Sequence, residues 1–207
     1  MDKYDKWKNE YINNVDVDYI EWIKLSSNEL RDFIYNNYLD KEEWEYVLNE
    51  KNDSVFPTLL GMHYLNLLSH ETYYGRFKYL LGIVDNNIGK KTIVGDIAYL
   101  DNYKIFTTQA FPATFISYVE INNYFQNMGL FKKMCEAFFE NINQNQHIIT
   151  TVESDYGKRL KALETFRKIM YGKGFNKEII ENRHDYATNE RLYDILVNNK
   201  SNGKILK

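Results

Sequence analysis

Cysteine, proline, long apolar runs and an excess of positive charge are all missing or scarce in this chain. Its single cysteine, Cys135, rules out an internal disulfide. Lying in a helical pattern beside Phe138 and Phe139, it reads as a small buried residue and not as a nucleophile. No run of about 18 apolar residues occurs, so no membrane-spanning helix is expected. The start, Met-Asp-Lys-Tyr-Asp-Lys-Trp-Lys, has no apolar signal core, and the expected compartment is the cytoplasm. In that compartment the glycosylation matches at Asn52-Asp53-Ser54 and Asn199-Lys200-Ser201 carry no meaning. The four histidines, His63, His70, His147 and His184, form no short-spaced pair, and no Cys/His/carboxylate grouping suggests a metal. With 26 basic against 29 acidic residues, a net charge of -3 and a pI near 5.9, the chain lacks the broad basic footprint of a nucleic-acid binder.

What the chain has is core-forming material. Its 207 residues are 44% hydrophobic and include 18 tyrosines and 12 phenylalanines. That is enough for one substantial core, or one domain with an extension, and far from a disordered composition.

The first third has helical signals. Ser26-Ser27-Asn28-Glu29 has the form of a capping box before Leu30, Phe33, Ile34 and Tyr38, which share one helical face. Asp40-Lys41-Glu42-Glu43 repeats the device before Trp44, Val47 and Leu48, with Asn52-Asp53 and Pro57 ending that helix. Trp7 and Tyr11, then Tyr19 and Ile23, suggest a further helix or two with a break near Val15-Asp16. From Thr58 to Leu68 the apolar residues are too dense for either periodicity to decide, and a first strand is one reading.

Next come two β-branched and aromatic runs, 78–85 and 92–100, separated by the turn-rich Asn86-Asn87-Ile88-Gly89, which predict a hairpin. A P-loop is excluded there: six residues separate Gly82 from Gly89 where the Walker pattern has four, and no helix follows. Tyr118 to Ile121 reads as a strand, followed by a short loop and a helix in which Leu130, Met134, Ala137, Phe138 and Ile142 share a face. Polar 143–146 makes a turn. His147 to Glu153 then predicts a parallel strand, and Lys158 to Met170 a helix with Leu160, Leu163, Phe166, Ile169 and Met170 inward. At the end, 175–180 and 191–197 read as a closing strand pair, with helix as an alternative for the second.

The junction Gln126-Asn127-Met128-Gly129-Leu130-Phe131 carries the functional signal, because the N–H groups that open a helix have no intrahelical partner and the helix dipole favours an anion. This strand, Gln-x-x-Gly loop and helix resembles motif A of the GCN5-related N-acetyltransferases, and Gly174-Phe175 resembles the Gly-Phe closing their motif B. Phe131 departs from the pattern, which has a small residue there. The resemblance covers roughly residues 78 to 180.

The resemblance implies an α/β (α+β) fold: a mixed, mostly antiparallel central sheet with a splayed parallel strand pair, flanked by helices, and here a helical N-terminal extension. It implies a single domain over 1–207, with a helical region 1–75, an acetyl-CoA-binding core 76–180 and a closing segment 181–207. Acetyl-CoA would be the co-substrate, its pyrophosphate held by main-chain groups of Gln126, Asn127, Met128, Gly129, Leu130 and Phe131, with Lys132 in the first helical turn. Backbone groups of Val119 and Ile121 would pair with the pantetheine arm. Glu120, on the opposite face of the strand from those two, is the candidate base.

Two tyrosines are candidates for the acid. Tyr171 lies near the motif B position but one residue short, where an ungapped count puts Met170, and Tyr156 follows the fifth strand. The asparagine usual in that last motif is not evident; Ser154 or Asp155 would take over its hydrogen bonding. Trp22, Tyr38 or Trp44 would line the acceptor site if they are not simply core, the reading that burial favours. The acceptor would be an amine on a small molecule, peptide or protein, and homodimerisation is a further implication. A non-catalytic acyl-CoA-binding or protein-interaction module on the same fold is the alternative. A transferase acting on aminoacyl-tRNA is a third, which the acidic balance disfavours.

Overall fold

The computed structural model describes residues 9, 11–13, 15–38, 58–69, 74–86, 89–103, 113–142, 147–153, 157–175, 183–185 and 190–197. They fall into two compact units, one drawn from Met1–Ala98 and Tyr118–Met134, the other from Tyr99–Ser117 and Cys135–Lys207. In chain order the elements are β1 (Glu21–Ser26), α1 (Ser27–Asn37), α2 (Thr58–Leu68), β2 (Lys78–Asp85), β3 (Lys91–Tyr103), β4 (Ala113–Ile121), α3 (Leu130–Asn141), β5 (His147–Glu153), α4 (Gly157–Gly172), β6 (Arg183–Asp185) and β7 (Glu190–Val197).

In the first unit the strand order is β1-β2-β3-β4. β1 pairs antiparallel with β2 from Glu21↔Ile83 to Ser26↔Lys78. The Trp22 ring lies over its cross-strand partner Gly82, where an added Cβ would come within 2.5 Å of Trp22 Cζ3. Any side chain there would push the ring aside. The region read as helix around Tyr19 and Ile23 is therefore a strand in part. In this edge strand of six residues the adjacent Trp22 and Ile23 are both half-buried, on opposite faces, so no alternation stands out against the chance four-residue spacing of Tyr19 and Ile23.

The predicted capping box forms. The Ser26 N–H donates to Glu29 Oε2 at 2.7 Å and the Glu29 N–H to Ser26 Oγ at 3.4 Å. α1 then buries Leu30 and Ile34 completely, each contributing about 1.5–3 kcal/mol. Tyr38, at its end, is half-buried, stacks on Tyr11 with ring centroids 5.0 Å apart and has its hydroxyl buried, which fits packing. The second capping box and Trp44 lie outside the described residues.

Thr58 to Leu68 is helix, not the first strand: Leu60, Tyr64 and Leu67 recur at helical spacing and are all buried. β2 and β3 are the predicted hairpin. Its turn is closed by Asn86 N–H to Lys90 C=O at 2.8 Å and by Lys90 N–H to Asn86 Oδ1 at 2.8 Å, with Gly89 at φ 74°. Tyr79, Leu80, Leu81, Ile83, Val84, Ile93, Val94 and Ile97 are buried, as in strands covered on both faces.

In the second unit the order is β3-β4-β5-β7-β6. β4 and β5 run parallel, from Ala113↔His147 to Ile116↔Thr150, while β5 and β7, and β6 and β7, are antiparallel. A parallel neighbour needs a crossover, and α3 supplies it. Phe139 packs on Phe166, Phe175 and Phe138 at centroid distances of 4.8, 5.2 and 5.4 Å. Cys135 is wholly buried, and burial together with the Glu136 charge pushes its thiol up to about 12, which fits a packing role. Leu163, Phe166 and Met170 face inward as expected.

The closing pair differs from expectation. Phe175 ends a helix cap instead of starting a strand, and the rest of the expected 175–180 strand lies outside the described residues; of the two readings for 191–197 the structure has the strand, within Glu190–Val197, which pairs with a short strand at Arg183–Asp185. The cap is a Schellman motif: Phe175 N–H bonds Met170 C=O at 3.2 Å, Gly174 N–H bonds Tyr171 C=O at 3.1 Å, and Gly174 has φ 88°.

Candidate functional site

β4 ends because Asn122 spends its polar groups on its neighbours. It is 1% exposed, its N–H donates to Val94 C=O at 3.0 Å, its Nδ2 to Ile93 C=O at 3.4 Å, and its Oδ1 accepts from Tyr124 N–H at 3.2 Å. The last bond bends the chain into a 3-10 turn over Asn123–Phe125. Phe125 drops into a cluster with Val84, Val94 and Leu130, against which Ile121 and Tyr124 pack. The loop is thus pinned at both ends by apolar anchors.

Between the anchors, Gln126, Asn127, Met128 and Gly129 are exposed. The Gln126 amide donates to Ile121 C=O at 3.2 Å and Asn123 Oδ1 at 2.8 Å, so its side chain ties the loop down and leaves binding to the main chain. Asn127 and Gly129 have φ of 66° and 74°, in the left-handed region. A Cβ on Gly129 would meet nothing within 4 Å, so glycine is needed there for its backbone angle and the space above it is open. Leu130 is buried, Phe131 half-buried and Lys132 exposed as α3 begins. The helix therefore presents its first-turn N–H groups and positive dipole end beside a chain reversal open to solvent, which suits a phosphate-bearing ligand.

Val119, Glu120 and Ile121 are each half-buried on the strand leading into that loop. Two contacts fix the register of β3 on β4. Asn122 bonds Val94, and a Cβ on Gly95 would lie 3.4 Å from Ile121 Cα and 2.8 Å from Glu120 O. As one strand's numbering rises the other's falls, so the pair is antiparallel and the next residue, Asp96, stands opposite Glu120.

Asp96 was not singled out from the sequence, yet it is 0% exposed. Both of its carboxyl oxygens and the Tyr118 hydroxyl are buried, the hydroxyl beside the carboxyl at a geometry short of a full hydrogen bond. Burial first, then the Glu120 charge, holds the Asp96 carboxyl well above the usual carboxylate range, with Tyr118 acting weakly the other way. Burial first, then the Asp96 charge, pushes the Tyr118 phenol up.

Against Tyr118 lies His63 of α2, ring centroids 4.7 Å apart, its Nδ1 3.3 Å from the Tyr79 hydroxyl. Burial lowers His63 to about 4, so it is neutral at pH 7. By spacing alone His63 does not stand out from the other three histidines. The available signals were an acid in the apolar run Ile93-Val94-Gly95-Asp96-Ile97-Ala98 and a histidine on a dense apolar helix.

The remaining predicted residues divide. Tyr171 is half-buried in the last turn of α4, in the second unit; Met170, its rival by ungapped count, is buried completely. Ser154, Asp155 and Tyr156 lie outside the described residues. Among the described residues no group of three or more His, Cys, Asp or Glu could hold a metal ion, and no helix is long and apolar enough to cross a membrane.

The order β1, two helices, β2 to β4, α3, β5, α4, β6 and β7, with β4 and β5 parallel in a mostly antiparallel sheet, leads to one assignment. It agrees with the mixed α/β (α+β) class, mostly antiparallel with one parallel strand pair, that the motif A resemblance implies, while the N-terminal region expected to be helical includes the strand β1.

No model of a known protein family matches the chain, and no curated protein compared with it does. Solved structures to which it is similar include the NatC complex bound to Gag peptide and CoA, with a TM-score of 0.48, 11% identity, and coverage of 88% of this chain and 99% of that one. Another is an N-acetyltransferase from Staphylococcus aureus Mu50, with a TM-score of 0.46, 12% identity, and coverage of 87% and 97%. A third is an aminoglycoside acetyltransferase from an uncultured soil metagenomic sample in complex with sisomicin, with a TM-score of 0.44, 17% identity, and coverage of 81% and 97%.

Proposed function

We propose that this chain transfers an acetyl group from acetyl-CoA to an amine. The observation that carries the reading is the loop between β4 and α3: two left-handed residues, Asn127 and Gly129, open space over Gly129, and a helix N-terminus at Leu130. Main-chain N–H groups from Gln126 to Phe131 would hold the pyrophosphate, with Lys132 adding charge, and the backbones of Val119 and Ile121 would pair with the pantetheine arm. The bound co-substrate supplies an activated thioester carbonyl.

The reaction then needs one base and one acid. The amine nitrogen bonds to the carbonyl carbon, the C–S bond breaks, the amine proton passes to the Glu120 carboxylate, and a tyrosine proton goes to the departing sulfur. Tyr171 and Tyr156 are the candidates for that tyrosine. The acceptor class is an amine of a small molecule, peptide or protein.

Phe131 favours a second reading. Where the motif has a small residue, it narrows the ligand's approach, which suits an acyl-CoA-binding or protein-interaction module without turnover. Calorimetric titration with acetyl-CoA, CoA and ATP tests the site: binding of the two CoA species but not ATP supports it, and no heat with any of them refutes it. Release of free CoA thiol with a panel of amines then separates enzyme from module.

A further inference from the structure

Asp96 is a wholly buried acid whose two oxygens have no hydrogen-bond partner, in a strand that the proposed chemistry does not use. The register set by Val94 and Asn122, and by Gly95 and Ile121, puts it directly across from Glu120. Side chains of directly opposed residues share a face, with Cβ atoms about 4.5–5.5 Å apart, and like charges so placed are destabilising. Tyr118, two residues from Glu120, lies on the same face and reaches Asp96.

The groups facing Asp96 decide which acid ionises. From β4 they are Glu120 and the Tyr118 phenol; behind Tyr118 come His63 from α2 and Tyr79 from β2. Among the described residues Asp96 has no cation as a partner. An ionised, unpaired carboxylate at full burial is costly; a protonated one is a small polar group. Glu120 is half-buried and can be solvated.

We propose that Asp96 and Glu120 hold one proton between them, that Asp96 keeps it, and that Asp96 thereby acts as a positioning residue which fixes the pair's single negative charge on Glu120. Its part in catalysis rests on the acetyl-transfer reading above; the distribution of the proton does not. With Asp96 neutral, Glu120 is the carboxylate that takes the amine proton, while the buried acid keeps its own.

Infrared spectroscopy of the protein grown with carboxyl-13C aspartate tests this, because the label shifts aspartic acid bands and leaves glutamic acid bands in place. At pH 7 the wild type is expected to show a label-sensitive band of a protonated carboxyl group. Glu120→Gln, a near-isosteric change at a half-buried position, is expected to move the disappearance of that band to lower pH by about one unit or more, the threshold of a coupled pair. Absence of the band at pH 7, or a band that Glu120→Gln leaves in place, overturns the proposal. Asp96→Asn checks the assignment by removing the band. Acetyl-CoA calorimetry on the same samples separates the two ideas: failure to bind refutes the acetyl-transfer reading, and the spectra still decide where the proton resides.

Discussion

Asp96 on β3 stands opposite Glu120 on β4, one carboxyl group sealed from water and the other half-exposed. The relationship has a thermodynamic consequence that needs no substrate. Asp96 titrates at 3.8 when unfolded and well above that when folded, so between those two values the folded state binds the extra proton. Its contribution to stability is complete below 3.8 and is lost as pH rises through the folded value. Asp96→Asn removes the ionisable group and keeps the shape. The variant is therefore expected to be more stable than the wild type at pH 8 and to lose the alkaline decline; thermal melts from pH 5 to 9 measure this.

His63 works in the opposite direction. It titrates at 6.5 unfolded and near 4 folded, because burial among Phe77, Tyr79 and Tyr118 disfavours its charged form. Stability linked to it is present above 6.5 and falls as pH drops through 6.5 toward 4. After allowance for its residual exposure, the loss is on the order of 2 kcal/mol. A variant that cannot take up that proton, such as His63→Gln, is expected to lose less stability between pH 7 and 5 than the wild type, whatever its stability at pH 7. Equal losses would show that the ring is not shielded in solution.

Legibility in the sequence followed the strength of the local signal. Ser26 and Glu29 were readable because a capping box is a four-residue chemical device, and the hairpin because Asn86 and Gly89 have side-chain and backbone reasons to turn. β1 was missed because consecutive Trp22 and Ile23 break the alternation that marks a strand, and Thr58–Leu68 was ambiguous because a helix buried on most sides loses its stripe. The loop was legible through Gln126 and Gly129. The Asp96–Glu120 pair was not: 24 positions separate them in the sequence, and only strand register brings them together.

Two glycines are expected to matter for their backbone angles alone. Gly174 closes α4 at φ 88° and Gly129 opens onto α3 at φ 74°, with nothing within 4 Å of either added Cβ. Substitution by alanine therefore meets no clash and costs about 1–2 kcal/mol from the left-handed conformation alone. Chemical denaturation of the Gly129→Ala and Gly174→Ala proteins measures this; a cost near zero would mean that the loop relaxes to another conformation.

The loop proposed to hold the pyrophosphate needs a test that does not pass through stability, which excludes substitution at Gly129. Met128 lies between the two left-handed residues, is 49% exposed and has no strain of its own to relieve. Met128→Glu places a carboxylate where the pyrophosphate would sit, while Met128→Gln has the same shape without the charge. If the loop binds the anion, the glutamate variant is expected to lose at least about tenfold in acetyl-CoA affinity, equivalent to about 1.4 kcal/mol, with melting unchanged. The glutamine variant should stay near the wild type, and added salt should narrow the gap between the two as it screens the charge. Equal affinity for all three proteins would place the pyrophosphate elsewhere on the chain, since charge repulsion at an exposed residue beside a bound diphosphate cannot be silent at low ionic strength.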